Sequence, residues 1–212
     1  MAEKNSEPAS GEWLELAAVL LLSVTAILTA WTGFQSSKWG GAMSTSFAQA
    51  STARIEAARF DGDANRKQTI QVSLFTQWLQ AYQAHDSQLT SFLEQRFPEP
   101  LASAFPVWVA EHPLKNPNAA PTPFQVKEYA IPELKASQEA DARADAKYQE
   151  ALRDNQRGDN YTLLTVAFAS VLFFTAMAAR MRDPRIQWVL LAIAVLGFVT
   201  TSVFLATFPK LV

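Results

Sequence analysis

The sequence predicts an all-α membrane protein, three transmembrane helices carrying a helical, antiparallel coiled-coil-like bundle outside the bilayer. Three observations predict it. Tyr161 to Ala179 and Ile186 to Pro209 hold no charged residue, and Leu14 to Phe34 holds only Glu15, at its edge. A helix crosses a hydrocarbon core of about 30 Å in roughly 20 residues at about 1.5 Å each, so every one of these runs can span. Between the first and second runs, apolar residues recur at steps of three and four, with no strand-like alternation. A hydrophobic share of 49% is ordinary, but here the apolar residues are gathered into blocks. That distribution marks a membrane protein.

The elements follow in order. Residues 1–12 are polar, carry Glu3, Lys4, Glu7 and Glu12, and read as a disordered cytoplasmic tail. Residues 13–34 form the first span, opened by Trp13. A cleaved signal peptide would need a basic start, a shorter apolar core and small residues at a cleavage site, whereas the bulky Trp31, Phe34 and Trp39 follow this core. Residues 35–160 form the extracytoplasmic helical domain. Met43, Phe47, Ala50, Ala53, Ala57 and Phe60 mark one face of a helix continuing the first span, with Gly40-Gly41 as a candidate kink. Asp61-Gly62-Asp63 carries turn chemistry and is expected to stop that helix.

A second outer helix is expected from Arg66 to Phe97. Its seam is Phe75, Trp78, Tyr82, His85, Leu89 and Phe92, widened by Ile70, Leu74, Leu79 and Leu93. The Pro-rich segment 98–123 excludes a long helix but allows a short one over Leu101 to Glu111, with Phe105, Trp108 and Val109 on one side. Its aromatics are expected to pack on the bundle or touch the membrane surface. A third outer helix starts at Pro132, suited to a first-turn position, and runs through Ala136, Ala140, Ala144 and Ala151 to Arg157. Glu139 and Arg143 form an i, i+4 pair of favourable order. Gly158 either separates this helix from the second span or sits inside one long helix. Three outer rods of roughly 40 to 50 Å at about 1.5 Å per residue favour one antiparallel stalk.

Residues 161–180 and 186–208 are the second and third spans, joined by the basic turn 181–185 and followed by an extracytoplasmic tail, 209–212. Arg180, Arg182 and Arg185 are the topology determinants, because short basic loops stay on the cytoplasmic side. Pro184 ends the preceding helix and biases Asp183 away from helical geometry. The N-terminus is then cytoplasmic and residues 35–160 are extracytoplasmic. Lys38, Arg153 and Arg157 on the outer side oppose this assignment, but long segments obey the charge rule poorly. Trp31, Lys38 and Trp39 read as interfacial anchors, rings at headgroup level beside a cation.

No constellation points to an enzyme. The chain has no cysteine, which excludes disulfides and thiolate metal sites. Its two histidines stand in His85-Asp86 and Glu111-His112, without the i, i+4 spacing that places two ligands on one helix face. His85 is expected as a packed histidine on the apolar seam, and His112 before Pro113 as a turn or extended residue. Glu139, Asp141, Asp145, Glu150 and Asp154 alternate with bases and read as a solvated face. No catalytic residue, cofactor site or metal site is assigned. A net charge of −2 gives no reason to expect nucleic acid. The spans lack the internal acids and bases of proton relays and voltage sensors.

One patterned feature remains. Thr25, Thr29, Thr32 and Ser36 form a hydroxyl stripe on the first span, with Gln35 beside its end. Either these hydroxyls bond to the preceding turn or a neighbouring helix, or several copies line a pore. Ala26, Ala30 and Gly33 on an adjacent face allow close helix approach in both cases. The expected partners are the lipid bilayer and either further copies of the chain or an envelope protein. The expected role is a structural or interaction subunit, with a homo-oligomeric channel as the alternative.

Ala30-Trp31-Thr32-Gly33-Phe34-Gln35, followed by Lys38-Trp39-Gly40, closes the first span with a Trp-rich block. In this block, and in the order span, helical outer segment with Pro-rich middle, two-span hairpin, the chain resembles uncharacterised bacterial three-span inner-membrane proteins. The resemblance implies a bacterial inner-membrane location, multi-pass, and supplies no activity and no functional residues.

Overall fold

The structure, a computed structural model, describes residues 10–113 and 115–211. Five α-helices follow in order: α1 (Ser10–Gln83), α2 (Ser87–Glu94), α3 (Leu101–Ala110), α4 (Pro132–Arg180) and α5 (Pro184–Thr207). A 3-10 turn lies at Pro123–Gln125, and there is no strand among the described residues. Helices α1, α4 and α5 are long and apolar enough to cross a membrane. Most of the expected tail lies outside the described residues, and Ser10 already belongs to α1.

The expected sequence of three separate outer helices is corrected. α1 continues through Gly40-Gly41 and through Asp61-Gly62-Asp63, so neither ends it. α4 likewise continues through Gly158 into the second span. Pro132 is its first residue, as its missing N–H allows. The chain actually breaks at Ala84 to Asp86, where His85 takes φ 57. Asp86 then caps α2 by accepting the Leu89 N–H at 2.9 Å. Asp183 caps α5 in the same way, accepting from the Arg185 N–H, with Pro184 in the first turn.

The chain divides into two compact units, residues Met1–Ala48 with Lys147–Val212, and Gln49–Ala146. The first therefore keeps residues 35–48 and 147–160 together with the spans. Within it, buried residues of α1 recur every seventh position: Ala18, Thr25, Thr32, Trp39 and Ser46. Trp39 packs in one cluster with Tyr161, Leu164 and Phe168 of α4, and Thr165 of α4 donates to Thr32. Gly158 is buried where α4 meets α1, since a Cβ there would stand 3.6 Å from the Ser36 carbonyl oxygen and 3.9 Å from the Gly40 nitrogen. α5 adds Leu191, Ala194, Thr201 and Leu205 to the interior, and Phe198 meets Phe168 at 6.2 Å between ring centroids.

In the second unit α1 and α4 run antiparallel, as their cross-pairs show. Arg54 meets Asp141 and Asp145, Glu56 meets Arg143, and Lys67 meets Glu133. Arg143 thus pairs across the helices instead of with Glu139, which sits 3.9 Å from Lys135. Lys67 holds the Glu133 carboxyl below the usual carboxylate range, helped by the backbone at the start of α4. The seam beneath is alanine on both sides, Ala50, Ala57 and Ala64 against Ala140 and Ala144. α4 therefore faces a surface as thin as its own. Ser137 Oγ reaches across to donate to the Ala57 carbonyl at 3.0 Å, a contact that requires this small seam.

The rest of the unit is an aromatic core. Phe75 and Trp78 of α1 pack with Leu93, Phe97, Leu101, Phe105, Trp108 and Val126. Tyr82, Leu89 and Phe92 are exposed, contrary to the predicted seam: in α1 Ala81 takes the inward place after Trp78, and beyond it the His85 break resets the helical phase, leaving Leu93 inward and Leu89 and Phe92 outward. Ile70 and Val109 are also exposed. His85 itself is exposed in the turn, not packed on the seam, since positive φ takes it off the helix face. Asp154 departs from the expected solvated face: it is 5% exposed and accepts from Arg157 at 3.0 Å.

Candidate functional site

The hydroxyl stripe of the first span meets α4 through Thr32 and Ser36. Thr25 and Thr32 are fully buried, while Thr29 and Ser36 are half-buried. Thr25 Oγ1 donates to the Leu21 carbonyl at 2.6 Å and Thr29 Oγ1 to the Thr25 carbonyl at 2.7 Å. Thr32 Oγ1 donates to the Thr29 carbonyl and accepts from Thr165 Oγ1, at 2.9 Å each. Ser36 shares a 2.9 Å hydrogen bond with Thr162. An unpaired hydroxyl in an apolar surrounding is costly, and here the preceding turn or α4 satisfies each one.

Gln35 sits one residue from the stripe and does more than close it. Its side chain is fully buried, and both polar ends bind one backbone segment: Nε2 donates to the Leu211 carbonyl at 3.1 Å and Oε1 accepts the Leu211 N–H at 3.0 Å. Tyr161 Oη donates to the Pro209 carbonyl at 3.0 Å, and its ring meets Phe208 edge-on at 5.7 Å. The segment after α5 is thereby tied to α1 and α4.

Among the predicted anchors, Trp31 and Lys38 are exposed, whereas Trp39 is buried beside Tyr161 and Leu164. The Arg157 guanidinium lies 4.6 Å from the Trp39 ring centre. Trp39 is thus a packing residue with a cation on its face. Arg180, Arg182 and Arg185 are exposed and make no ion pair among the described residues. Among those residues no cluster of His, Asp and Glu has the makings of a metal site.

The second unit, Gln49–Ala146, holds a concave site that sequence reasoning did not find. A cavity of about 1030 Å³ opens among α1, α2, α3 and the segment after α3, lined by Trp78, Tyr82, Phe97, Phe105 and Trp108, with His112 and Lys115 also on its wall. The rings are locked by each other: Trp78 stacks on Tyr82 at 5.1 Å and meets Phe105 edge-on at 4.8 Å, while Phe75 meets Trp108 edge-on at 5.3 Å. Both indole N–H groups are already used. Trp78 donates to Glu94 and Trp108 to the Ala120 carbonyl, each at 2.8 Å. The two indoles therefore present only their ring faces, while Tyr82 adds a hydroxyl to the wall.

Comparison with protein-family models, with curated proteins and with solved structures returned no match. The functional reading therefore rests on residues and geometry. The signals that point to these two places are legible afterwards: an isolated Gln at the end of an apolar run, and a crowd of aromatics between prolines.

Proposed function

We propose that the chain is an integral protein of a bacterial inner membrane whose helical outer unit, Gln49–Ala146, serves as a structural or interaction module. The observation that carries this reading is the contrast between the two units' surfaces. In the first, large apolar side chains such as Leu16, Val19, Leu20 and Ile27 on α1, and Val189, Leu196, Val199 and Val203 on α5, are exposed. Hydrocarbon tolerates such a surface and water does not. In the second, ion pairs lie across α1 and α4, and the exposed apolar side chains include Tyr82, Leu89, Phe92, Val107 and Val109 around the small helices. Apolar groups of that size on a water-facing unit mark a contact surface.

The contact is with a further copy of the chain or with another envelope protein. A photo-crosslinking amino acid placed at Leu89 or Phe92 in intact cells tests it. An adduct at a multiple of the chain's 23.4 kDa identifies self-association, and a discrete adduct of other mass identifies a partner. No adduct at either position, with the protein correctly inserted, would refute the reading. The channel alternative needs Thr25, Thr29, Thr32 and Ser36 to face an axis between copies. Burial of Thr25 and Thr32 inside a single copy supports the packing role instead.

A further inference from the structure

We infer that the arginine turn and the α5 face below it form a site for an anionic phospholipid, its phosphate on Arg182 and Arg185. The site rests on the reading of α1 and α5 as membrane spans and names the lipid class they hold. Three observations carry it. First, Arg180, Arg182 and Arg185 are exposed and make no ion pair among the described residues. Asp183 is the one acid in this stretch, and its carboxylate accepts the Arg185 N–H, so three bases stand against one acid. Guanidinium groups pair with phosphate oxygens through two parallel hydrogen bonds, which makes them phosphate sites of choice.

Second, an apolar path begins directly below the bases. Arg185, Trp188, Ala192, Val195 and Val199 follow each other at steps of three and four, and all but Arg185 line one shallow furrow on α5. A second furrow, between Ala17, Leu20 and Val24 of α1 and Leu191, Val195 and Phe198 of α5, adjoins it along Leu191 and Val195. Leu191 lies roughly 9 Å beyond Arg185 at about 1.5 Å per residue, the depth at which acyl chains succeed a head. Trp188, 58% exposed between them, places an indole at headgroup level. Third, the acid of α1 nearest this path points away from it. Glu15 precedes Ala17 by two residues and stands roughly 200° round the helix from it, at about 100° per residue. The arginines select the charge of the head, and the furrows accept its chains.

The test offers the full chain, delipidated in mild detergent, equal amounts of phosphatidylglycerol and phosphatidylcholine with the same acyl chains. Bound lipid is read by native mass spectrometry. The parent is expected to retain phosphatidylglycerol about tenfold or more over phosphatidylcholine, at roughly fivefold per arginine. Arg182→Gln with Arg185→Gln is expected to bring that ratio to within about twofold, and Arg182→Gln alone, outside both helices, to lower it about fivefold. Lys38→Gln with Arg153→Gln, at the other end of the spans, should leave it unchanged. Ala17→Phe, which narrows the second furrow, should lower occupancy by both lipids without changing their ratio. Inorganic phosphate in excess should displace neither. A parent ratio near one, or a preference that survives the arginine variants, would overturn the site. Occupancy unaffected by Ala17→Phe would overturn the path of the chains, and displacement by phosphate would overturn the lipid in favour of a soluble anion. Insertion is read separately: release from membranes by alkaline carbonate would overturn the span reading itself, whereas a carbonate-resistant protein without lipid preference overturns this site alone.

Discussion

Gln35 binds the backbone of Leu211 with both ends of its amide, as a neighbouring β-strand would. The side chain is fully buried, so water does not compete. Each such bond contributes about 0.5–1.5 kcal/mol net. Gln35→Leu keeps the volume and removes both, so amide exchange in the segment 209–211 should accelerate about tenfold or more, read by hydrogen–deuterium exchange. Unchanged exchange would mean that the Tyr161 bond to Pro209 and the Phe208 contact hold the segment alone. Trp78 makes the corresponding case in the second unit. It is 6% exposed, touches Phe75, Tyr82, Phe105 and Trp108, and donates to Glu94. Trp78→Ala should cost about 3–5 kcal/mol in the unfolding of that unit, from the lost contacts and the enlarged void. A loss below about 1 kcal/mol would show a core able to collapse around the gap.

At the scale of elements, what decides helix length is tertiary burial. Asp61-Gly62-Asp63 has every local mark of a turn, yet α1 passes through it because Ala57 and Ala64, on either side, are 4% and 1% exposed. A break would remove both from the alanine seam, and propensity is a weak prior against packing of that kind. Gly62 has nothing within 4 Å of a built Cβ. Gly62→Ala should therefore stabilise the protein by about 0.5–1 kcal/mol in thermal unfolding, through reduced freedom of the unfolded chain. Destabilisation would indicate that the helix opens at this point. The spans, the basic turn, the start of α4 at Pro132 and the α3 helix were legible, because each rests on charge-free length or on proline geometry. Phe75 and Trp78 were legible as core by their spacing. The turn at His85 was not, since no glycine or proline stands there and only the φ of 57 reveals it. The cavity was hidden for the same reason: its walls come from segments whose pairing depends on that turn.

At the scale of the whole molecule, the question is which side of a membrane each end occupies. Two bonds settle which ends of the first unit lie together: Gln35 to Leu211, and Tyr161 to Pro209. The end of the first span at Gln35, the start of the second and the finish of the third are therefore neighbours, and the arginine turn between α4 and α5 is opposite them. Positive charges occupy both ends, but in different states. Arg157 is paired with the buried Asp154 and lies over Trp39, so its charge is largely cancelled. Lys38 and Arg153 at the same end are exposed without an ion pair among the described residues, but they belong to long segments, where the charge rule is weak. Arg180, Arg182 and Arg185 are exposed, and the nearby Asp183 is committed to capping α5. Unpaired charge in a short loop is what the insertion machinery retains. A reporter active only outside the cytoplasm, fused after residue 212, should be active in the parent chain. Arg182→Glu combined with Arg185→Glu leaves Arg180, at the end of α4, as the one base there and adds two acids. It should lower that activity several-fold as part of the population inserts in the opposite orientation. An unchanged reporter would mean that the folded outer unit, not the arginine turn, commits the chain to its side.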